Sequence, residues 1–263
     1  MTSIWGIVNA TPDSFSDGGR YADADRAIEH GLLLRAQGAA VLDIGGESTR
    51  PGAERVPVAE EQRRILPVIE RLAADGIPVS VDTLNAATAV AAVAAGARIV
   101  NDVSGGLADP DMLAAVAPTG ADIALGHWRG PSADMYARAE YTRVGREVAA
   151  ELRERIAAAA AAGIAPARII VDPGIGFAKT AGQNWDLLRE LSDVVALGPR
   201  VLVGTSRKRF LAEALGDDAD ERRKDLATAV TSALAARAGV WAVRVHDVAA
   251  TRDALAVLSA WDD

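Results

Sequence analysis

Residues 151–174, E-L-R-E-R-I-A-A-A-A-A-A-G-I-A-P-A-R-I-I-V-D-P-G, hold one complete helix-to-strand unit. Glu151, Arg153, Glu154 and Arg155 lead into an alanine run, 157–162, that reads as the end of an amphipathic helix. Gly163 then stops the helix, because glycine accepts the left-handed conformation that a helix C-terminus needs. Residues 168–171 are short, apolar and β-branched, and Asp172-Pro173-Gly174 ends them, as for a strand buried on both faces.

The same unit recurs along the chain. Strand-like runs lie at 4–8, 40–44, 78–81, 98–100, 122–125, 168–171, 200–203 and 241–245. Segments of helical period separate them, among them 25–37, 60–74, 86–95, 140–162 and 226–238, and Gly38, Gly76, Gly96, Gly163 and Gly239 close these five. Strands alternating with helices predict a parallel sheet with crossover helices. The count of eight favours a closed (β/α)8 TIM barrel over an open doubly wound sheet. No G-x-G-x-x-G follows the first run, which weakens a dinucleotide-binding reading. No linker or charge block divides the chain, so one domain is expected over 1–263.

Composition narrows the function classes. The 263 residues include no cysteine, which excludes a disulfide scaffold and a thiolate metal site. A net charge of −8 argues against nucleic acid or an anionic membrane as the main partner. No apolar stretch nears the ~20 residues of a membrane span, and the first strand-like run begins without a basic, cleavable leader. A soluble cytoplasmic protein is the expectation.

Chemistry gathers where strands end. The first strand runs into Asn9-Ala10-Thr11-Pro12-Asp13-Ser14-Phe15-Ser16-Asp17-Gly18-Gly19, and the second into Gly45-Gly46-Glu47-Ser48-Thr49-Arg50-Pro51-Gly52. The others end at Asp82-Thr83, Asn101-Asp102, His127-Trp128-Arg129, Asp172-Pro173-Gly174, Gly204-Thr205-Ser206-Arg207-Lys208-Arg209-Phe210 and Arg244-Val245-His246-Asp247. Each has a bland reading alone: an Asp after a strand is usually a helix cap, and a His or Arg there is usually packed or solvated. Recurrence at every strand end on the catalytic face of a barrel outweighs eight separate bland readings.

Asp82, Asn101 and Asp172 offer acceptors suited to a flat heterocycle with several N–H donors, and Lys208 offers a donor to its carbonyl or nitrogen. A pterin fits. Arg244 and His246, two apart in an extended strand, share a face. With Arg50 they form a basic cluster suited to phosphate or pyrophosphate, making the mouth locally basic within an acidic protein. Asn9 offers a neutral oxygen to a divalent ion whose other ligands are pyrophosphate and water, the arrangement Mg2+ favours. Ser206 and His246 come from neighbouring strands, but Arg207 and Lys208 beside them fit anion binding better than a hydrolase triad.

These motifs resemble the dihydropteroate synthase family, the folate-pathway enzymes that sulfonamides target. The resemblance runs from Gly6-Ile7-Val8-Asn9 through Asp43-Ile44-Gly45-Gly46-Glu47-Ser48-Thr49-Arg50, Asn101-Asp102-Val103-Ser104-Gly105-Gly106, Asp172-Pro173-Gly174-Ile175-Gly176-Phe177 and Ser206-Arg207-Lys208-Arg209-Phe210 to Arg244-Val245-His246-Asp247. It implies that p-aminobenzoate displaces pyrophosphate from (7,8-dihydropterin-6-yl)methyl diphosphate to give 7,8-dihydropteroate. By the same resemblance Asp82, Asn101, Asp172 and Lys208 hold the pterin, with Phe177 among the substrate-binding residues. Thr49, Arg244 and His246 meet the diphosphate, and Asn9 ligates Mg2+. The C–O bond breaks first, and Asp17 stabilises the resulting cation. Phe15, Pro51, Lys208 and Arg209 shape the p-aminobenzoate pocket. A homodimer through outer helices is implied as well.

Three positions depart from the family pattern. Gly126 stands where many members have a Met that packs on the pterin, Arg209 where many have Ser, and Asp225-Leu226 where a small Gly-Thr or Gly-Ser pair is frequent. Gly126 also motivates a second reading, a non-catalytic barrel acting as a partner subunit. A third, a pterin-binding methyltransferase, shares the Asp/Asn/Asp set but needs no diphosphate cluster.

Overall fold

The computed structural model describes residues 2–10, 20–47, 56–130, 139–216 and 218–262. Eight parallel strands close a barrel in chain order. They are β1 (Ser3–Asn9), β2 (Val41–Gly45), β3 (Val79–Asp82), β4 (Ile99–Asp102), β5 (Asp122–Gly126), β6 (Ile169–Asp172), β7 (Arg200–Val203) and β8 (Ala242–Val245). Trp5 of β1 lies opposite Arg244 of β8, so the last strand returns to the first and the sheet has no open edge. Around it run α1 (Arg20–Gln37), α2 (Val58–Ala74), α3 (Ala86–Ala94), α4 (Met112–Val116), α5 (Val144–Ala161), α6 (Ala181–Arg189), α7 (Leu191–Val195), α8 (Arg209–Leu215), α9 (Glu221–Arg237) and α10 (Val248–Asp262). This is the (β/α)8 barrel expected from the sequence. Among the described residues no helix is long and apolar enough to cross a membrane.

Successive side chains of a strand point to opposite faces, and that pleat sorts the core. Leu42, Ile44, Val79, Val81, Val100, Ile123, Leu125, Ile169, Val171, Val201, Val203, Val243 and Val245 belong to the outer core packed under the helices. Their neighbours Trp5, Val41, Ile99, Ala124, Ile170, Leu202 and Ala242 form a separate apolar plug inside the barrel. Two residues beyond the plug on β2, β4, β5, β6, β7 and β8, the same inward face carries Asp43, Asn101, Gly126, Asp172, Gly204 and Arg244. Ser80 and Asp82 on β3, and Asn9 on β1, continue it. The strand alternation alone therefore stacks a polar layer on an apolar floor.

Several strands run one or two residues further than expected. Asp82, Asn101, Asp102, Gly126 and Asp172 stay in the parallel ladder, because a polar side chain facing the mouth does not interrupt backbone pairing. The helix expected over 140–162 starts at Val144, since the Glu147 carboxylate accepts from the Thr142 and Arg143 N–H groups ahead of it. Conversely α9 starts five residues before 226, with Asp220 capping Arg223 N at 2.8 Å.

One buried carboxylate anchors the helical ring to the mouth. Glu61 of α2 is fully buried and accepts at 2.7 Å from Thr83 Oγ1, Asn85 Nδ2 and Thr88 Oγ1. Those three donors span the end of β3 and the start of α3, so Glu61 fixes the chain as it leaves Asp82.

Candidate active site

The centre of the mouth is an ionic bridge. Arg244 Nε donates to Asp43 Oδ2 at 2.5 Å and Nη2 donates to Asp82 Oδ2 at 2.7 Å. Asn101 Nδ2 donates to the same Asp43 oxygen at 3.1 Å. The bridge ties β8 to β2, β3 and β4 across the barrel. Asp43, Asp82 and Asn101 are buried, and the remaining oxygens Asp43 Oδ1 and Asp82 Oδ1 have no hydrogen-bond partner among the described residues. Burial raises the Asp82 carboxyl to about 7 although Arg244 pulls the other way, and Asp43 adds to the rise. An acceptor held in this state gains from a ligand N–H that satisfies it.

Neither Asp82 nor Asp172 caps a helix, so the bland reading of both fails. Asp172 Oδ1 accepts instead from Gly174 N at 2.7 Å, within a turn. Burial raises its pKa, against the pull of Lys208 and that N–H. Lys208 comes from the β7 side, immediately before α8, and its ammonium donates to Ile175 O in the loop after β6. Its Nζ lies 4.2 Å from the centre of the Phe177 ring, a cation–π contact. Burial lowers the Lys208 ammonium to about 8, opposed by Asp172.

The loop approaches Lys208 closely. Gly176 takes φ +82°, and a Cβ there would collide with the Lys208 side chain. Only glycine suits that position, so it leaves room for the lysine stem.

His246 and Ser206 meet as neighbours. Ser206 Oγ lies 2.8 Å from His246 Nδ1 and accepts from His246 N at 3.1 Å, which fixes the ring at the end of β8. Arg209 opens α8 and pairs with Glu213 at 3.0 Å, well exposed beside the mouth. Arg207 sits at φ +54° and is held by Asp225 through Nε at 2.7 Å and Nη2 at 2.8 Å. Asp225, a departure from the family pattern, thus serves to clamp the loop after β7.

Asn9 ends β1 opposite Gly45, and a Cβ on Gly45 would sit 4.0 Å from Asn9 Oδ1 and 3.8 Å from Asp82 Oδ2. Asn9 therefore presents its carbonyl oxygen to the carboxylate layer. No group of three His, Cys, Asp or Glu side chains suited to a metal occurs among the described residues. That donor set fits a hard ion which takes most of its oxygens from substrate and water.

The structure thus brings Asn9, Asp82, Asn101, Asp172, Phe177, Lys208, Arg209, Arg244 and His246 to one mouth. Phe15, Asp17, Thr49, Arg50 and Pro51 lie outside the described residues. Arg244 is itself held by two carboxylates, Asp43 and Asp82, while the Arg50 grouped with it in the sequence lies outside the described residues. Asp43 was missed as a site residue, although an Asp inside the apolar run V-L-D-I-G is itself a signal, since a buried charge demands a partner. His127 turns away from the mouth and bonds Glu151 of α5, which is the bland reading for a strand-end histidine.

Residues 5–246 match the family described as "Pterin binding enzyme". The dihydropteroate synthase of Mycobacterium leprae (strain TN) is 53% identical over 263 residues, covering 98% of this chain and 93% of that protein. A solved Xanthomonas albilineans dihydropteroate synthase with 4-aminobenzoic acid superposes with a TM-score of 0.92 at 46% identity, covering 99% of this chain and 93% of that one. The same enzyme in complex with 7,8-dihydropteroate gives a TM-score of 0.89 at 44% identity, covering 99% and 94%.

Gly126 now has a physical reason. A Cβ at this position would overlap the Val103 backbone, so the turn after β4 fills the space that a side chain would take. A larger residue must push that turn, and with it Asn101, outward. Gly126→Ala should therefore lower stability by about 1–3 kcal/mol, the cost of overpacking. Chemical denaturation of the two proteins measures it, and superimposable curves would show that the turn yields freely.

Proposed function

The chain belongs to the pterin-binding enzyme family and, within it, to the dihydropteroate synthases, and from that membership we propose its reaction in detail. It joins (7,8-dihydropterin-6-yl)methyl diphosphate to p-aminobenzoate, releasing pyrophosphate and forming 7,8-dihydropteroate. The observation that supports this most directly is the acceptor layer of buried Asp82 and Asn101 with half-buried Asp172, flanked by Lys208. A pterin presents adjacent N–H donors on one edge and a carbonyl beyond them, which is the complement of that layer. Rings lacking those donors would leave the carboxylates unsatisfied and be rejected.

The C–O bond to the diphosphate breaks with its electron pair leaving on oxygen, and the arylamine nitrogen then bonds the methylene carbon and sheds a proton. Arg244 uses Nε and Nη2 on Asp43 and Asp82, leaving the Nη1 side of its fork for a phosphate oxygen. His246, fixed by Ser206, serves the same anion with Thr49 and Arg50. Asn9 would hold Mg2+, which supplies positive charge to the departing pyrophosphate. Asp17 steadies the cationic carbon, and Phe15, Pro51, Lys208 and Arg209 shape the pocket for the aryl acid. The excess of fixed charge over mobile water is what favours bond breaking here.

Pyrophosphate release with Mg2+, the pterin diphosphate and p-aminobenzoate tests the reading. Turnover should require all three, and Asp172→Ala should lower kcat/KM by at least ~10²-fold, as for loss of a positioned charged contact. Folded protein without turnover would refute the reaction, and an unaffected variant would remove Asp172 from the site.

Lys208 adds a pH signature. Its ammonium is brought down to about 8, so the donor is lost as pH rises through that value. The kcat/KM for the pterin substrate should fall above about pH 8, and Lys208→Arg, which keeps its charge, should abolish that limb. A limb unchanged in Lys208→Arg assigns it to another group.

We also propose that the protein forms a homodimer through α9 and α10. Leu226, Val230 and Leu234 recur every four residues on α9 at 65%, 51% and 60% exposure, and Val257 and Trp261 stand out from α10 at 69% and 77%. Exposed large apolar side chains recurring on two neighbouring outer helices are the feature expected of an association surface. Analytical ultracentrifugation should show a dimer that Leu234→Glu converts to a monomer; a monomeric native protein would end the proposal.

A further inference from the structure

Two of the three charged side chains proposed to hold the pterin, Asp172 and Lys208, lean on one loop. Asp172 Oδ1 accepts a hydrogen bond from Gly174 N, and the Lys208 ammonium donates one to Ile175 O. That loop, 173–179, is unusually contorted: Gly174, Gly176 and the non-glycine Ala178 all have left-handed φ, at +66°, +82° and +47°. Left-handed alanine is costly and persists only where its surroundings impose it.

The imposing group is Lys179. Its side chain is 1% exposed, and Nζ lies 3.0 Å from each of Gly174 O, Phe177 O and His127 Nδ1. Three acceptors match the three N–H donors of an ammonium. The two carbonyls belong to opposite ends of the turn, so the lysine folds the loop onto itself from within. His127 passes the tie outward. With Nδ1 accepting from the lysine, Nε2 carries the proton and donates to Glu151 Oε2 at 2.9 Å. Arg129 closes the chain on Glu151, at 3.1 Å from Nε to Oε1, and on Glu147 at 3.1 Å. The backbone makes the same connection, since His127 N donates to Asp172 O at 2.9 Å.

We infer that Lys179 is a positioning residue for pterin binding: its buried ammonium, braced by His127, Glu151 and Arg129, sets the loop that aims Asp172 and Lys208. Nothing in the chemistry proposed above uses this lysine, and it has no surface to offer a substrate. Burial lowers its pKa to about 7, with Lys208 adding to the fall, and burial lowers His127 to about 4, so the imidazole stays neutral as the tautomer requires. Glu151 keeps its charge, drawn down to about 2 by His127 and Arg129 against its own burial. The inference rests on the reading that Asp172 and Lys208 hold the pterin.

Lys179→Met keeps the stem and removes the donors. Calorimetry with pteroic acid and steady-state kinetics should show pterin affinity down by about tenfold or more, on the scale of a lost charge-assisted hydrogen bond, with the KM for p-aminobenzoate little changed. Long-range 1H–15N spectra give a second readout, because the chain has only three histidines. The protonated-Nε2 pattern of His127 should be present in the native protein and lost or mixed in the variant. Should Lys179→Met fail to fold, Glu151→Gln weakens the outer end of the same chain and should raise the pterin KM alone by a smaller factor. Unchanged pterin affinity in the folded variant, beside a loss in Asp172→Ala, overturns the positioning role. Unchanged affinity in both overturns the site reading beneath it.

Discussion

Arg244 reaching across the barrel to Asp43 and Asp82 is the contact on which the rest of the mouth depends. Three charges lie at the top of an apolar plug, where an isolated ion would cost several kcal/mol to desolvate. The guanidinium is planar and has donors on separate edges, so one side chain can neutralise two carboxylates from two strands. Asn101 completes the shell of Asp43. These bonds join β8, β2, β3 and β4, which are not all adjacent in the sheet, and so hold the barrel's circular cross-section at the level where a ligand must fit. A lysine could not do this, because its point charge lacks the fork.

Backbone, rather than bulk, shapes the remaining walls. The turn after β4 presses on β5 at Gly126, and the loop after β6 presses on the Lys208 stem at Gly176. Both contacts exclude a Cβ. Close backbone approach brings loop carbonyls and N–H groups within reach of the charged side chains, as Gly174 N does for Asp172 and Ile175 O for Lys208. The mouth is thus built from charged residues set by strand register and from loop dipoles set by glycine. The network behind it, running from buried Lys179 and His127 out to part-exposed Glu151 and Arg129, backs the loop after β6 from the helical side.

Much of this was legible in the sequence, and the exceptions have causes. Apolar β-branched runs located all eight strands, because a strand buried on both faces has no other way to be written. The expected strand ends fall short because Asp82, Asn101 and Asp172 look like turn residues in the sequence, whereas a mouth-facing polar residue remains in the ladder. Glu147 misplaced the start of α5 through a side-chain bond that local propensity does not contain. The short α6, α7 and α8 carry too few turns for a periodicity to emerge. Asp43 could have been found as a charge inside a buried strand. Lys179 could not, since a lysine beside Thr180 looks like surface, and only three-dimensional packing shows that two carbonyls and an imidazole surround it.

The sign of the charge changes with height, and this refines the expectation of a basic mouth. The inner layer holds three carboxyl side chains, Asp43, Asp82 and Asp172, beside the two basic ones of Arg244 and Lys208. Hydrogen-bond donors suited to an anion lie above it: His246 follows the end of β8, and Arg209 opens α8 beyond β7. A ligand is sorted along that axis, because a donor-rich neutral ring gains from the carboxylates below while an anion gains only near the rim. The pterin diphosphate has both ends in one molecule. On the proposed reading it can enter only ring first, which leaves its methylene and leaving group at the level where p-aminobenzoate arrives. Orientation and specificity then follow from the same vertical ordering of charge, which the alternation of each strand above an apolar plug imposes.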